Sequence, residues 1–181
     1  MLRIIAGTLK GRRLETPDWP GLRPTSDRLR ETLFNVLGPR VMDARFLDAF
    51  AGTGAVGIEA LSRGAAHVTF VESDARAVRL IEANLARCGV KDRYVIIRAR
   101  FGSFSRRGEA CDLLFLDPPY GQAELTASLD AAAALVGPSS LLVIEHASRD
   151  EAPQDVAGIR RIRQLRAGDS ALSFYDRDPD A

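Results

Sequence analysis

The apolar run Leu113-Leu114-Phe115-Leu116 closes on Asp117-Pro118-Pro119-Tyr120. A short hydrophobic run stopped by an acid and two prolines predicts a buried strand that ends abruptly. In open α/β sheets, ligands bind at the carboxyl ends of the strands. Pro118 and Pro119 lack backbone donors but keep their acceptor carbonyls, with a carboxylate on one side and an aromatic ring on the other. This set suits a planar base that carries an exocyclic amine. Asp117 and a proline carbonyl accept its two N–H groups, and Tyr120 stacks on its face. The bland alternative is a Pro-Pro loop capping a strand, with Asp117 satisfied by local amides and Tyr120 merely closing a pocket. The preceding chain argues against it.

Residues 46–50 predict another strand. Residues 51–57 follow as a glycine-rich turn that opens a helix over 58–63. Gly52, Gly54 and Gly57 fit G-x-G-x-x-G, the dinucleotide fingerprint, which is weak alone. Two acids sharpen it. Asp48 lies on the strand, poorly placed for a pyrophosphate but well placed for a positively charged amino group. Glu72 closes the next strand, 67–71, where an acid can accept both ribose hydroxyls. A nucleoside with a cationic tail is S-adenosylmethionine. Tight helix–strand packing would explain Gly57 but neither acid.

These residues need a frame. Residues 2–6 and 12–16 predict a glycine-bounded hairpin, and 17–24 a proline-rich loop holding Trp19. Thr25-Ser26 offer caps for a helix over 27–37 that Gly38-Pro39 stops. Leu29, Leu33, Phe34 and Leu37 share one helical face, and Arg28 and Arg30 point elsewhere. After the glycine turn, Ser73 caps a helix over 74–87. Strands at 93–98 and 112–116, an alanine-rich helix at 122–136 and a strand at 141–145 follow. Strands at 159–165 and 171–175 form a last hairpin. The order predicts an α/β fold: a doubly wound, mostly parallel sheet ending in an antiparallel β-hairpin, with a small N-terminal hairpin extension. The acidic end from 176 to 181 is expected to fray.

The 181 residues predict one domain, long enough to bury about 70% of the unfolded surface. Residues 1–40 form a basic hairpin and helix within the same domain as a core over 41–181. No apolar run reaches membrane-spanning length, and the first residues do not open a signal peptide. Two cysteines and two histidines give no disulfide framework and no metal-ligand spacing, so no metal is expected and the compartment reads as cytoplasmic and reduced. The net charge of +1 hides an asymmetry. Residues 1–40 hold eight basic side chains against four acids, a net +4 that leaves −3 for the remainder. Lys10, Arg12, Arg13, Arg23, Arg28 and Arg30 are therefore candidate phosphate contacts for a polyanion, although a solvated charged surface would look the same.

Asp48-Ala49-Phe50-Ala51-Gly52-Thr53-Gly54, Glu72 and Asp117-Pro118-Pro119-Tyr120 together resemble the amino-group branch of the Rossmann-like S-adenosylmethionine methyltransferases. Arg3-Ile4-Ile5-Ala6-Gly7, Lys10-Gly11-Arg12-Arg13-Leu14, Arg23-Pro24-Thr25 and the stretch from Arg28 to Asn35 narrow the likeness. So do Ala167-Gly168-Asp169 and Phe174-Tyr175. They resemble the bacterial 16S ribosomal RNA guanine-N2-methyltransferase family over nearly the whole chain. The resemblance implies S-adenosylmethionine-dependent methylation of the exocyclic N2 amine of one guanine in 16S ribosomal RNA, on a small-subunit particle, by a monomer. It implies that Phe50, Gly52 and Gly54 hold the methionine end, Asp48 its amino group, and Glu72 with Ser73 the ribose. One position departs from the family pattern. Arg100 stands where an Asp or Asn usually meets the adenine amine, and arginine has no acceptor. Either the backbone meets the adenine there, with Phe101 packing on it, or the matching position lies one residue away. A DNA adenine-N6 methyltransferase and a non-catalytic RNA-binding protein on the same fold stay open as alternatives; no target-recognition domain supports the first.

Overall fold

A computed structural model of the chain describes residues 2–20, 25–104 and 111–177. Arg23 and the last residues, 178–181, lie outside them.

Among the described residues, eight strands form one sheet in the order β3-β2-β1-β4-β5-β8-β7-β6. β1 (Arg45–Ala49), β2 (His67–Glu72), β3 (Tyr94–Arg98), β4 (Leu113–Leu116) and β5 (Leu141–Ala147) are parallel. β8 (Ser170–Arg177) is antiparallel to β5, and β7 (Ile159–Ala167) to β8. β6 (Asp155–Val156) adds a two-residue edge that the sequence does not announce. β4 is buried throughout, as a near-continuous apolar run covered on both faces should be. α1 (Asp27–Leu37), α2 (Ala55–Ser62), α3 (Ala75–Cys88) and α4 (Gln122–Ala133) cover the sheet. One core cluster joins Leu29, Leu33 and Phe34 of α1 with Phe46, Phe70, Phe115 and Phe174. Another joins Leu125 and Leu129 of α4 with Leu47, Leu114, Leu142 and Tyr175. The expected α/β architecture with its terminal hairpin is the one observed.

Local differences have local causes. α2 starts at Ala55, three residues early, because Gly54 turns the chain at φ 75° and leaves Gly57 inside the helix. A Cβ on Gly57 would lie 2.3 Å from the Phe70 ring, so the third glycine serves close helix–strand packing. Asp74, not Ser73, caps α3, its carboxylate accepting from the Arg76 amide. Gly38-Pro39 ends α1 but carries on as a 3-10 turn, Gly38–Val41. The N-terminal hairpin is reduced to one bridge, Arg3 to Arg13, with flanking backbone hydrogen bonds.

Arg30 requires a correction. It was a candidate phosphate contact, yet the structure buries it completely. Its guanidinium donates to Arg3 O at 2.7 Å and Asp27 Oδ1 at 2.6 Å, and lies 3.5 Å from Glu59. It cannot meet RNA. The reason is Glu59, itself fully buried in α2, which also accepts the Ile5 and Ala6 amides at 2.7 and 3.0 Å and Arg63 Nε at 2.8 Å. This carboxylate fastens the N-terminal segment to the core. Glu59→Ala should therefore cost about 3 kcal/mol of stability, because two amides and Arg63 lose their acceptor and the buried Arg30 keeps only Asp27 as a counter-charge. Urea unfolding would measure it, and a loss below about 1 kcal/mol would show that the segment holds on without Glu59.

Candidate active site

The glycine turn and the Asp117 strand end meet because β1 and β4 are neighbours. Their register decides which side chains share a face. Asp48 pairs with Phe70 on one side and Phe115 on the other, and Phe115 pairs with Val143. Side chains alternate with a period of two. Glu72, Asp117 and Glu145 each lie two residues beyond those partners, so they share the face of Asp48 one step nearer the carboxyl edge. The Asp117 amide still donates to Ala49 O at 3.3 Å, which carries the alternation past the end of β4. Across the sheet the acids run Glu72, Asp48, Asp117, Glu145.

Each acid also holds backbone or a neighbouring loop. Asp48 Oδ2 accepts the Gly57 amide at 2.8 Å, fixing the first turn of α2. Glu72 Oε2 accepts from Gly52 at 2.9 Å, and its Oε1 from Ser73 at 2.7 Å and Asp74 at 2.9 Å. These bonds occupy Oε1 and leave acceptor capacity on Oε2, the oxygen open to a ribose hydroxyl. Asp117 Oδ2 accepts the Thr25 hydroxyl at 3.2 Å. Glu145 Oε1 accepts the Tyr120 hydroxyl at 3.2 Å, and Ser170 Oγ, 2.7 Å away, then donates to the tyrosine oxygen.

Placing like charges side by side and out of water raises their proton affinity. Burial first, then the nearby Glu72 charge, pushes Asp48 up to about 8 against the Gly57 amide. Burial, the Glu145 charge and the Asp48 charge hold Asp117 well above the usual carboxylate range, although the Thr25 hydroxyl pulls it down. A positively charged ligand would relieve both.

Beside the row lies a cleft of about 480 Å³ lined by Phe50, Glu72, Ser73, Arg100, Phe101 and Pro119, with α4 closing it. Phe50 reaches it at φ 59°, an unusual conformation for an aromatic residue, and its ring lies 5.5 Å from that of Phe101. The walls offer flat apolar surface, and Arg100 is an exposed rim residue. Pro118 is buried, and Tyr120 stands at the mouth, 42% exposed.

The basic candidates separate. Arg28 is exposed on the first turn of α1, next to the Thr25 contact. Lys10, Arg12 and Arg13 are exposed at the other end of the molecule. Leu9 N bonds Ser62 Oγ at the end of α2, and Glu15 pairs with Arg87 near the end of α3. From there the chain climbs α3 to Trp19, whose ring lies 5.1 Å from the Arg76 guanidinium. Arg76 and Arg87 are about 16 Å apart along the helix.

Thr25 and Glu145 are contacts the sequence reading missed. Thr25 reads as a helix cap because Ser26, which does accept from the Leu29 amide, is next to it. Glu145 had the signal of Asp117, an acid closing an apolar run, without prolines to draw notice.

Residues 2–176 match the family model described as conserved hypothetical protein 95. Ribosomal RNA small subunit methyltransferase D of Escherichia coli K12 is 38% identical over 179 residues, covering 98% of this chain and 90% of that protein. A solved Escherichia coli structure, yhhF, is 36% identical with a TM-score of 0.85 and covers 98% of each chain. An RNA methyltransferase from Salinibacter ruber, solved with S-adenosyl-L-homocysteine, is 13% identical at a TM-score of 0.71, covering 88% of this chain and 95% of that one. That last likeness concerns the fold.

The strained charge on Asp48 has a measurable sign. Its folded-state pKa of about 8 lies above the ordinary 3.8, so the folded protein holds an extra proton between those values. Stability must then fall as pH rises through that window. In Asp48→Asn the Asp48 share of the slope is removed, while that of Asp117 stays. Urea unfolding of the ligand-free parent and this variant from pH 4 to pH 8 should show the parent losing ground steadily. A constant difference would mean that Asp48 is not desolvated.

Proposed function

This chain belongs to the conserved hypothetical protein 95 family, and from that we propose that it transfers a methyl group from S-adenosylmethionine to the N2 amine of one guanine in 16S ribosomal RNA. The carrying observation is the acid row through Asp117, the first residue of Asp117-Pro118-Pro119-Tyr120, beside the cleft. The residues fit the cofactor. Asp48 and Asp117 are held protonation-prone by their surroundings, which a sulfonium and an ammonium group would reverse. Asp48 takes the amino group, Glu72 Oε2 a ribose hydroxyl, and Phe101 and Pro119 flank the adenine. Arg100 offers it no acceptor, so backbone between 99 and 103 meets the adenine amine.

Bound S-adenosylmethionine supplies an electrophilic methyl group. The protein supplies position. A guanine amine is a poor nucleophile because its lone pair is delocalised into the ring. Asp117 and the Pro118 carbonyl accept its two hydrogens and turn that lone pair toward the methyl. The negative charge of Asp117 stabilises the positive charge that grows on the amine during transfer. Tyr120, tethered by Glu145 and Ser170, offers its ring to the flipped base. Arg28 contacts phosphate at the mouth, and Lys10, Arg12 and Arg13 hold more distant RNA of a small-subunit particle.

Incubation with unmodified small subunits and labelled cofactor should place the label on N2 of a single guanine. Asp117→Ala should cut that turnover about a hundredfold or more while cofactor binding changes only a few-fold. Label on adenine N6 in DNA, or near-parental turnover in the variant, would refute the assignment.

Replacing Lys10, Arg12 and Arg13 together with Gln should weaken particle binding and reduce the log–log salt slope by about 0.7–0.9 per lost phosphate contact. Cofactor affinity, read by calorimetry, should stay level because these side chains sit at the far end of α3. An unchanged salt slope would leave them as solvated charges.

A further inference from the structure

Asp117 is half-buried just past the end of β4, and its Oδ2 accepts the Thr25 hydroxyl at 3.2 Å. Thr25 immediately precedes Ser26, the N-cap of α1. Ser26 already caps the helix through the Leu29 amide, so α1 has no use for a second hydroxyl beside it. The rest of α1 fixes where that hydroxyl stands. Leu29, Leu33 and Phe34 are core residues, and Arg30 is locked between Asp27 and Glu59. Thr25 is thus carried to Asp117 by a helix anchored along its length.

A carboxylate turns about a single bond, and a fixed oxygen sets its plane. With Oδ2 held, Oδ1 is the oxygen left for an amine, since no described residue donates to it. A hydroxyl donor also favours a charged carboxylate over a neutral one. The surroundings of Asp117 work against its charge. Glu145 on β5 and Asp48 on β1 face it as acids, and Tyr120 brings a phenol and no cation. On α1, Arg28 is exposed to solvent and Arg30 is paired with Asp27 and Glu59. Burial, then the Glu145 charge, raise the proton affinity of Asp117, and the Thr25 hydroxyl lowers it.

We propose that Thr25 is a positioning residue for methyl transfer, holding Asp117 Oδ2 so that the carboxylate meets the amine of the target guanine in one orientation. The same bond keeps the carboxylate an anion. The inference rests on the amine-acceptor role of Asp117 given above, and Thr25 acts through that side chain rather than on the base.

Single-turnover methylation of unmodified small subunits at saturating cofactor, followed from about pH 6 to pH 9, is the test. Thr25→Val keeps the branched shape and removes the hydroxyl. It should slow transfer about tenfold or more at neutral pH. The anion is the working form, so the rate falls as pH drops through the Asp117 titration. Losing the hydroxyl should move that acid limb to higher pH, and Thr25→Ser should restore both rate and limb. Calorimetric cofactor affinity should stay level. In an Asp117→Asn background, Thr25→Val should slow transfer no further. An unchanged rate and limb in Thr25→Val would overturn the inference. So would a loss that is equal at every pH or undiminished in Asp117→Asn, which would leave Thr25 as an anchor for the start of α1. A parent that fails to methylate the subunits would overturn the underlying activity, and the inference with it.

Discussion

Carboxylates on adjacent strand ends repel one another, and no sheet gathers them without consequence. Here Glu72, Asp48, Asp117 and Glu145 fall on one face because the parallel register fixes which residues are neighbours. Burial then deprives them of water, and Asp48 and Asp117 answer by holding protons more tightly. The same four groups organise the loops around them. Asp48 holds α2, Glu72 the glycine turn and the start of α3, Asp117 Thr25 just ahead of the α1 cap, and Glu145 the Tyr120 loop. The site is thus a patch of negative charge that is preorganised by backbone amides and hydroxyls. A cationic ligand placed there would relieve the electrostatic penalty of the row.

The N-terminal segment links the two ends of the molecule. Buried Glu59 pins it near the end of α2, it runs along α3 past Asn84 and Arg76, and Thr25 delivers it to Asp117. The exposed basic residues of the hairpin and the acid row thus lie at opposite ends of one fold, with the charges of its first forty residues sorted by depth. Arg30 is consumed inside the fold by Glu59 and Asp27. Lys10, Arg12, Arg13 and Arg28 remain at the surface. Sequence proximity to other arginines says nothing about which of these fates applies.

The amino-acid sequence by itself determined the alternation of strands and helices, the glycine turn and the Asp117-Pro118-Pro119-Tyr120 strand end. Hydrophobic period, glycine and proline are local signals, and each acts through its own backbone. Helix boundaries shifted by a few residues where a cap could be made by either of two neighbours, as with Ser73 and Asp74. What the tertiary structure alone decided was pairing. That Glu145 stands beside Asp117 depends on β4 and β5 lying in register 28 residues apart in the chain. That Thr25 reaches Asp117 spans 92 residues, and that Glu59 buries Arg30 depends on α1 lying against α2. Such contacts arise from packing two surfaces together, and no periodicity in either segment encodes the partner it will meet.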